Sequence, residues 1–168
     1  MKRFLALSVG VLALLIATPG VASADVSGGQ DFLVVFSGPP GTVGRVSASG
    51  VFTGYGTVTT PEGQPPRPFP VVFTFPQGML FLTVTPTGSG LQFDPQACLI
   101  SGPIFGTYQI TGGTGQFTGA SGGGTFQGTD YVLLARDAQG RCSGPPLAVY
   151  QVIENHGTIN LPSSQAAA

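Results

Sequence analysis

Side chains that could do chemistry are few in this chain, and their types exclude several classes of protein. His156 is the only histidine, so a metal site built from several histidines is excluded. A Ser-His-Asp triad is formally open to any serine, but no Gly-x-Ser-x-Gly turn is present, and the position of His156 late in the last predicted strand favours an exposed side chain. Gly38–Gly44 lacks the lysine of a phosphate-binding loop, and Gly113-x-Gly115 has the wrong spacing for a dinucleotide turn. We therefore expect no metal and no cofactor.

One group of polar residues remains as a candidate site, and Asp130 is at its centre. The strand predicted over Thr125–Ala135 has two registers. One buries Asp130 together with apolar residues, and the other buries Tyr131, Leu133 and Ala135. The first register buries more apolar bulk, so we predict it; its apolar members are Phe126, Val132 and Leu134.

The same period of two directs three more polar side chains inward. Tyr108 shares a face with Ile104 and Ile110, and Gln151 and Asn155 share one with Val149 and Ile153. We predict that Tyr108, Asp130, Gln151 and Asn155 bind a ligand. A carboxylate in an apolar interior has a raised pKa and can act as an acid or base, or orient a polar ligand atom. Alternatively, Asp130 lies at a rim or in a bulge, bonded to Arg136 or to backbone.

Residues 1–24 have the three parts of a signal peptide. Lys2 and Arg3 precede an apolar run over Phe4–Ala17, and Ala22-Ser23-Ala24 forms a small-residue cleavage site. The run is too short for a comfortable membrane span, although an uncleaved anchor is the alternative. We expect cleavage before Asp25, no membrane segment afterwards, and a secreted protein or one of the periplasm or cell envelope.

The charge of the predicted mature chain argues against nucleic-acid binding. No lysine remains, and the four arginines face seven carboxylates, giving a net charge of −3. Nucleic-acid binding needs a clustered positive surface. The predicted surface is therefore one of Thr, Ser, Gln and Gly.

Cys98 and Cys142 are the only cysteines. An oxidising compartment favours a disulfide between them. The alternative is a two-cysteine metal site, which lacks further ligands at a sensible spacing.

Alternating apolar residues and Gly/Pro turns predict one all-β domain over residues 25–161, with a frayed tail at 162–168. The connection Pro61–Pro70 is predicted to be a stiff polar loop rather than a partner-docking segment. Eight strands are predicted, and they form a barrel or a sandwich: Asp31–Ser37, Gly44–Thr59, Val71–Phe75, Met79–Thr85, Ala97–Ser101, Ile104–Thr111, Thr125–Ala135 and Leu147–Leu161.

A glycine-rich segment, Ile110–Gly128, interrupts these strands. Gly112, Gly113 and Gly115 are predicted to form a structural turn, with a positive φ at Gly112 or Gly113. Phe117 stands alone among small residues, so we expect it to anchor the loop to the body of the domain.

The pattern G-G-T-G-x-F-x-G-A-x-G in this segment resembles one shared by allene oxide cyclase-like and dirigent-like β-barrels of plants and bacteria. The match covers a small part of the chain and is carried by Gly112, Gly113, Thr114, Gly115, Phe117, Gly119, Ala120 and Gly122. The resemblance implies a single antiparallel, lipocalin-like β-barrel of about eight strands, with a lumen that can hold one small ligand. Those families use acidic, tyrosine and arginine side chains in the lumen, but the match ends at the glycine segment and carries no catalytic residue over.

Two classes of function follow. The first is an exported barrel that binds a small apolar or aromatic molecule, or that acts as a structural protein of the envelope or extracellular space. The alternative, favoured by the resemblance, is a cofactor-free cyclase or isomerase that encloses its substrate in a shaped pocket. A lumen filled by Phe rings and Leu side chains would exclude both ligand binding and catalysis. The sequence leaves the oligomeric state open.

Overall fold

The computed structural model describes residues 25–60 and 67–163. The predicted signal peptide, residues 61–66 of the proline-rich connection and residues 164–168 of the predicted tail lie outside the described residues. Within them the chain is almost entirely β-structure, with one short 3-10 turn at Gly115–Phe117. The strands are β1 Val26–Gly38, β2 Gly44–Gly50, β3 Gly54–Thr59, β4 Phe69–Phe75, β5 Gly78–Ser89, β6 Gln92–Asp94, β7 Leu99–Gly113, β8 Ser121–Leu134 and β9 Pro146–Leu161.

Eight of these strands form a closed ring. The sheet runs β5-β4-β3-β2-β1-β9-β8-β7, and the further pairing of β5 with β7 joins its two ends. All the pairings are antiparallel, and the short β6 pairs with β7 beyond the segment that contacts β5. The prediction of an all-β, barrel-like fold of about eight strands is confirmed. No helix in the described part of the chain is long and apolar enough to cross a membrane.

Two strand predictions were wrong in detail. The stretch predicted as one strand over 44–59 is a hairpin, because Gly50 has a φ of +130° and the chain turns over residues 51–53 before β3 begins. Conversely, the strands predicted over 97–101 and 104–111 are one strand, β7. Gly102, at φ +151°, allows β7 to continue past Pro103, and a side chain at Gly102 would collide with the Gly90 carbonyl.

One end of the barrel is filled by aromatic rings, and we call it the closed end. Phe117 contacts both Phe52 and Phe75, with ring centroids 4.8 and 5.8 Å apart, and it is 2% exposed. Phe32 and Phe73 continue the cluster towards the middle of the barrel, with centroids 5.2 Å apart. Phe117 is therefore the apolar anchor that the sequence predicted.

The glycine-rich segment attaches the closed end to the β4–β5 hairpin through backbone hydrogen bonds. The Thr114 N–H donates to the Met79 carbonyl at 2.8 Å, and the Gln116 N–H donates to the Gln77 carbonyl at 3.0 Å. Gly112 has the predicted positive φ, at +150°, whereas Gly113 is needed for a different reason. A Cβ at Gly113 would lie 2.6 Å from the Phe117 carbonyl oxygen, so the segment could not pack this closely.

The opposite end is held by the predicted disulfide. Cys98 and Cys142 are bonded, with their Cα atoms 5.1 Å apart, and no described cysteine is free. The bond joins the chain just before β7 to the loop between β8 and β9. It leaves no thiolate for the alternative two-cysteine metal site.

Candidate functional site

A cavity of about 270 Å³ occupies the half of the barrel away from Phe117. Its walls are mostly apolar side chains from β1, β4, β5 and β9, including Val34, Val71, Val84 and Ile153. These residues project inward because the side chains of each strand alternate between the two faces of the sheet. The lumen is therefore filled at one end and open in the other half.

The cavity opens at the end of the barrel that we call the mouth. A second hollow of about 820 Å³ lies there, between the β1–β2 turn over residues 38–43 and the start of β9 at Pro146. Phe36, Thr60 and Gln151 line both hollows, so the two spaces share a boundary.

Three of the four predicted ligand-binding residues line the cavity: Asp130, Gln151 and Asn155. Asp130 on β8 lies directly opposite Gln151 on β9. Asn155 is the next residue after Ile153 on the inward face of β9. The predicted register of β8 is the observed one, because Phe126 is buried while Tyr131 and Leu133 are exposed.

The Asp130 carboxyl is the most unusual group of the cavity. Its Oδ1 atom is buried and has no hydrogen-bond partner. Burial raises the pKa of Asp130, and the nearby Gln151 side chain and Tyr131 backbone N–H offset only part of that rise. Arg136 does not pair with it, since the guanidinium donates instead to the carbonyls of Gly140 and Gln96 at 2.7 and 2.6 Å. Asp130 and Arg136 therefore do not form the ion pair at the rim that was the alternative prediction.

Asn155 is held in place at the floor of the cavity. It is buried, and its Nδ2 donates to the Phe32 carbonyl at 3.2 Å on the neighbouring strand. That bond fixes the side chain, while within the described residues its side-chain oxygen accepts no hydrogen bond. The cavity therefore presents hydrogen-bond acceptors from Asp130 and Asn155 at one side of an apolar space.

Tyr108, the fourth residue predicted to bind a ligand, does not line this cavity. It faces inward as expected and is 2% exposed, but it lies in the filled half and does not line the cavity. Its hydroxyl occupies the room left by Gly157, where a Cβ would lie 2.7 Å from that oxygen. Burial, with a smaller contribution from the charge of Asp31, raises the pKa of Tyr108 to about 12. The phenol is thus neutral at physiological pH, and its hydroxyl lacks a partner.

Sequence reasoning missed two polar residues inside the barrel or at its mouth. Arg67 lines the cavity where the chain returns from the connection over 61–66, and no alternation extends into that connection to indicate it. Gln30 is 1% exposed because its side chain bonds the backbone of Ser49 and Phe52, which fixes the β2–β3 turn. Gln30 follows Gly28 and Gly29, so no alternation of apolar residues leads up to it to indicate that it faces inward.

His156 is exposed, as predicted, and lies on the outer face away from the cavity. Its Nδ1 is 2.9 Å from Asp31 Oδ1. Among residues 25–60 and 67–163, no three His, Cys, Asp or Glu side chains come together in a way that could hold a metal ion. The polar groups that line the otherwise apolar cavity are the Asp130 carboxyl, the Arg67 guanidinium, the carboxamides of Gln151 and Asn155, and the hydroxyls of Thr60 and Ser89.

Comparison with known proteins adds no family to this description. No family model matches the sequence, and no curated protein or solved structure matches the chain significantly.

Proposed function

We propose that this protein is an exported barrel that holds one small, mainly apolar or aromatic molecule in the open half of its lumen. The observation that carries the proposal is the buried, unpartnered Oδ1 of Asp130 beside an apolar cavity. An unpaired buried acceptor costs about 1–3 kcal/mol. A ligand that donates a hydrogen bond to this oxygen would remove that cost, so the site favours a molecule with one hydrogen-bond donor beside its apolar surface.

The dimensions of the cavity limit the ligand. Ligand pockets range from roughly 300 to 1,000 Å³, so a cavity of about 270 Å³ suits a small compact molecule. The apolar walls would supply affinity by removing the ligand's surface from water, and Asp130, Gln151 and Asn155 would fix its orientation.

Export is part of the proposal. The predicted signal peptide at residues 1–24 supports it, and the Cys98–Cys142 disulfide is compatible with an extracellular or periplasmic location. The low content of charged residues also suits a binding or structural protein better than an enzyme that relies on several titratable groups.

A cofactor-free cyclase or isomerase is the second candidate. The resemblance of the glycine-rich segment to allene oxide cyclase-like and dirigent-like barrels supports it, as does one observation in the cavity. A carboxyl whose pKa is raised by burial can donate a proton to a substrate held against it. In that case Asp130→Asn would abolish turnover while leaving substrate binding measurable.

The first experiment asks whether the lumen holds anything. Native mass spectrometry of protein purified from its source should reveal a retained small molecule. In parallel, an environment-sensitive fluorescent probe that is small enough for the cavity should gain emission with the wild-type protein. If neither a retained molecule nor probe uptake is detected, the proposal is contradicted and the structural role is favoured.

Two neighbouring residues provide a matched pair of variants. Val71 lines the cavity, whereas Val72 does not, because adjacent residues of β4 point to opposite faces. Val71→Phe should fill part of the cavity and abolish probe uptake, whereas Val72→Phe should bind the probe like wild type. If packing strain unfolds Val71→Phe, Val84→Phe fills the same space from β5.

A further inference from the structure

The carboxyl group of Asp130 carries a charge that no other described side chain of the cavity balances. Its pKa is set by burial, by the Gln151 side chain and by the Tyr131 backbone N–H, with no contribution from a positive group. Arg67 is the one cationic side chain among the described residues that line the cavity, and it forms no ion pair with Asp130. A charge beside an apolar space is costly unless an opposite charge pairs with it.

The ring places Arg67 on the wall opposite Asp130. Asp130 lies on β8, which pairs with β9, whereas Arg67 lies just before β4, which pairs with β3. Two strands separate these pairs on each side of the ring, β5 and β7 on one side and β1 and β2 on the other. Arg67 is also exposed, so water weakens the interaction of its charge with the cavity. The wall at Asp130 therefore stays negative when the carboxyl is ionised.

Aromatic side chains line the same cavity. One row across three strands holds Phe36 on β1, Gln151 on β9 and Asp130 on β8. Aromatic rings attract cations as well as apolar groups. A positive group and an aromatic body are thus compatible with this space, which four phenylalanines line: Phe36, Phe69, Phe73 and Phe126.

From this arrangement we propose that the ligand is a small primary amine with an aromatic or apolar body, whose ammonium group lies against Asp130. The ammonium donates a hydrogen bond to the carboxylate and also balances its charge, whereas a neutral hydroxyl would only donate the hydrogen bond. A ligand carboxylate would instead bring a second negative charge to Asp130. This ligand class rests on the proposed binding in the lumen, which it narrows.

The test is displacement of the fluorescent probe by three molecules of similar size: 2-phenylethylamine, 2-phenylethanol and phenylacetate. At neutral pH the first is a cation, the second is uncharged and the third is an anion. The amine should displace the probe from the wild-type protein at a concentration at least about tenfold lower than the alcohol. Phenylacetate should be the weakest of the three.

Asp130→Asn and Glu154→Gln provide a matched pair of variants. Each removes one carboxylate, but only Asp130 lines the cavity, whereas the Glu154 side chain is exposed on the outer face. Asp130→Asn should reduce the preference for the amine over the alcohol to less than about threefold. Glu154→Gln should keep the full preference, because it changes the net charge of the protein and not the charge of the cavity.

The wild-type protein offers a second measurement that needs no variant. Asp130 is the one acidic side chain among the described residues that line the cavity, and burial raises its pKa. Lowering the pH from neutral into the acid range protonates this carboxyl, while the amine and Arg67 keep their charges. The preference for the amine should therefore fall in acid, and displacement by the alcohol should change little.

The ligand class and lumen binding fail on different readouts. Displacement by the alcohol or by phenylacetate at the same concentration as the amine, or a lower one, would overturn the amine proposal and leave lumen binding intact. An amine preference that persists in Asp130→Asn, or in acid, would overturn it as well. No probe uptake by the wild-type protein would instead reject lumen binding itself.

Discussion

Asp130 and Gln151 are direct cross-strand partners on β8 and β9, and both line the cavity, yet Asp130 Oδ1 accepts no hydrogen bond. A buried acceptor without a partner destabilises the fold. At this pair, fold stability favours a side chain without an unpaired acceptor, whereas ligand binding would use that same free acceptor.

The first prediction concerns the stability of Asp130→Asn at different pH values. Burial raises the pKa of Asp130, so the folded protein binds this proton more tightly than the unfolded chain. Between the unfolded and folded pKa values, the free energy of unfolding falls as pH rises. Removing the charge should therefore make Asp130→Asn more stable than wild type near neutral pH, but about equally stable in acid.

Urea unfolding of both proteins across this pH range measures the difference. Glu154→Gln is the control, because it removes a carboxylate from the exposed outer face. A stability difference between Asp130→Asn and wild type that does not change with pH would contradict the prediction. If Asp130 orients the ligand, the same variant should also retain less of it.

The position of Asp130 could be predicted from sequence because period two is a local property. Phe126 and the apolar residues beyond it specify the register of β8, and Asp130 follows from it. The open half of the lumen could not be predicted in this way. It depends on which rings meet across the barrel, and Tyr108 reaches the closed side only because Gly157 leaves room for its hydroxyl.

The sequence also contains no local signal for closure of the ring. Leu82 of β5 pairs with Ile110 of β7, and nothing in either strand indicates its partner. The glycine-rich segment was identified, but its contact with the β4–β5 hairpin through Thr114 was not. Backbone hydrogen bonds of this kind do not depend on side-chain type, so the sequence does not record them.

The second prediction separates two reasons for glycine in the segment at the closed end. Gly112→Ala should destabilise the protein by about 1–2 kcal/mol, because φ is +150° although space is open around the Cβ position. Gly113→Ala should cost about 2 kcal/mol or more, because its Cβ would overlap the carbonyl oxygens of Met79 and Phe117.

Gly29→Ala is the matched control for these variants. Gly29 lies in β1 without a positive φ, and no atom lies within 4 Å of the Cβ position. We expect this change to be neutral or to stabilise the protein by about 0.5 kcal/mol through the unfolded state. Thermal melts of all three variants test the prediction, which fails if Gly112→Ala and Gly113→Ala both melt with Gly29→Ala.

The third prediction is that the Tyr108 hydroxyl does not stabilise the fold. It is buried without a partner, so Tyr108→Phe should be as stable as wild type or more stable by about 1 kcal/mol. Tyr131→Phe, on the exposed face of β8, should change stability by less than about 0.5 kcal/mol. A clear loss of stability in Tyr108→Phe alone would mean that the hydroxyl has a partner, such as a bound water.

The fourth prediction concerns the disulfide. Cys98 and Cys142 are 44 residues apart, and chain entropy for a loop of that length corresponds to at most about 4 kcal/mol. Replacing both cysteines by serine should lower the free energy of unfolding by up to that amount. Thiol labelling of the unfolded, unreduced protein should detect no free sulfhydryl, and two labelled cysteines per chain would contradict the assignment.

The pairing of β1 with β9 has a consequence for how this protein acquires its structure. The ladder runs from Val26 opposite Leu161 to Gly38 opposite Val149, so the first strand is completed by the last one. During synthesis, one edge of β1 has no partner until nearly the whole chain is available, and unpaired edges invite aggregation. Rings closed by such distant segments fold in milliseconds to seconds rather than microseconds. Shortening β9 should therefore slow the closure of the ring.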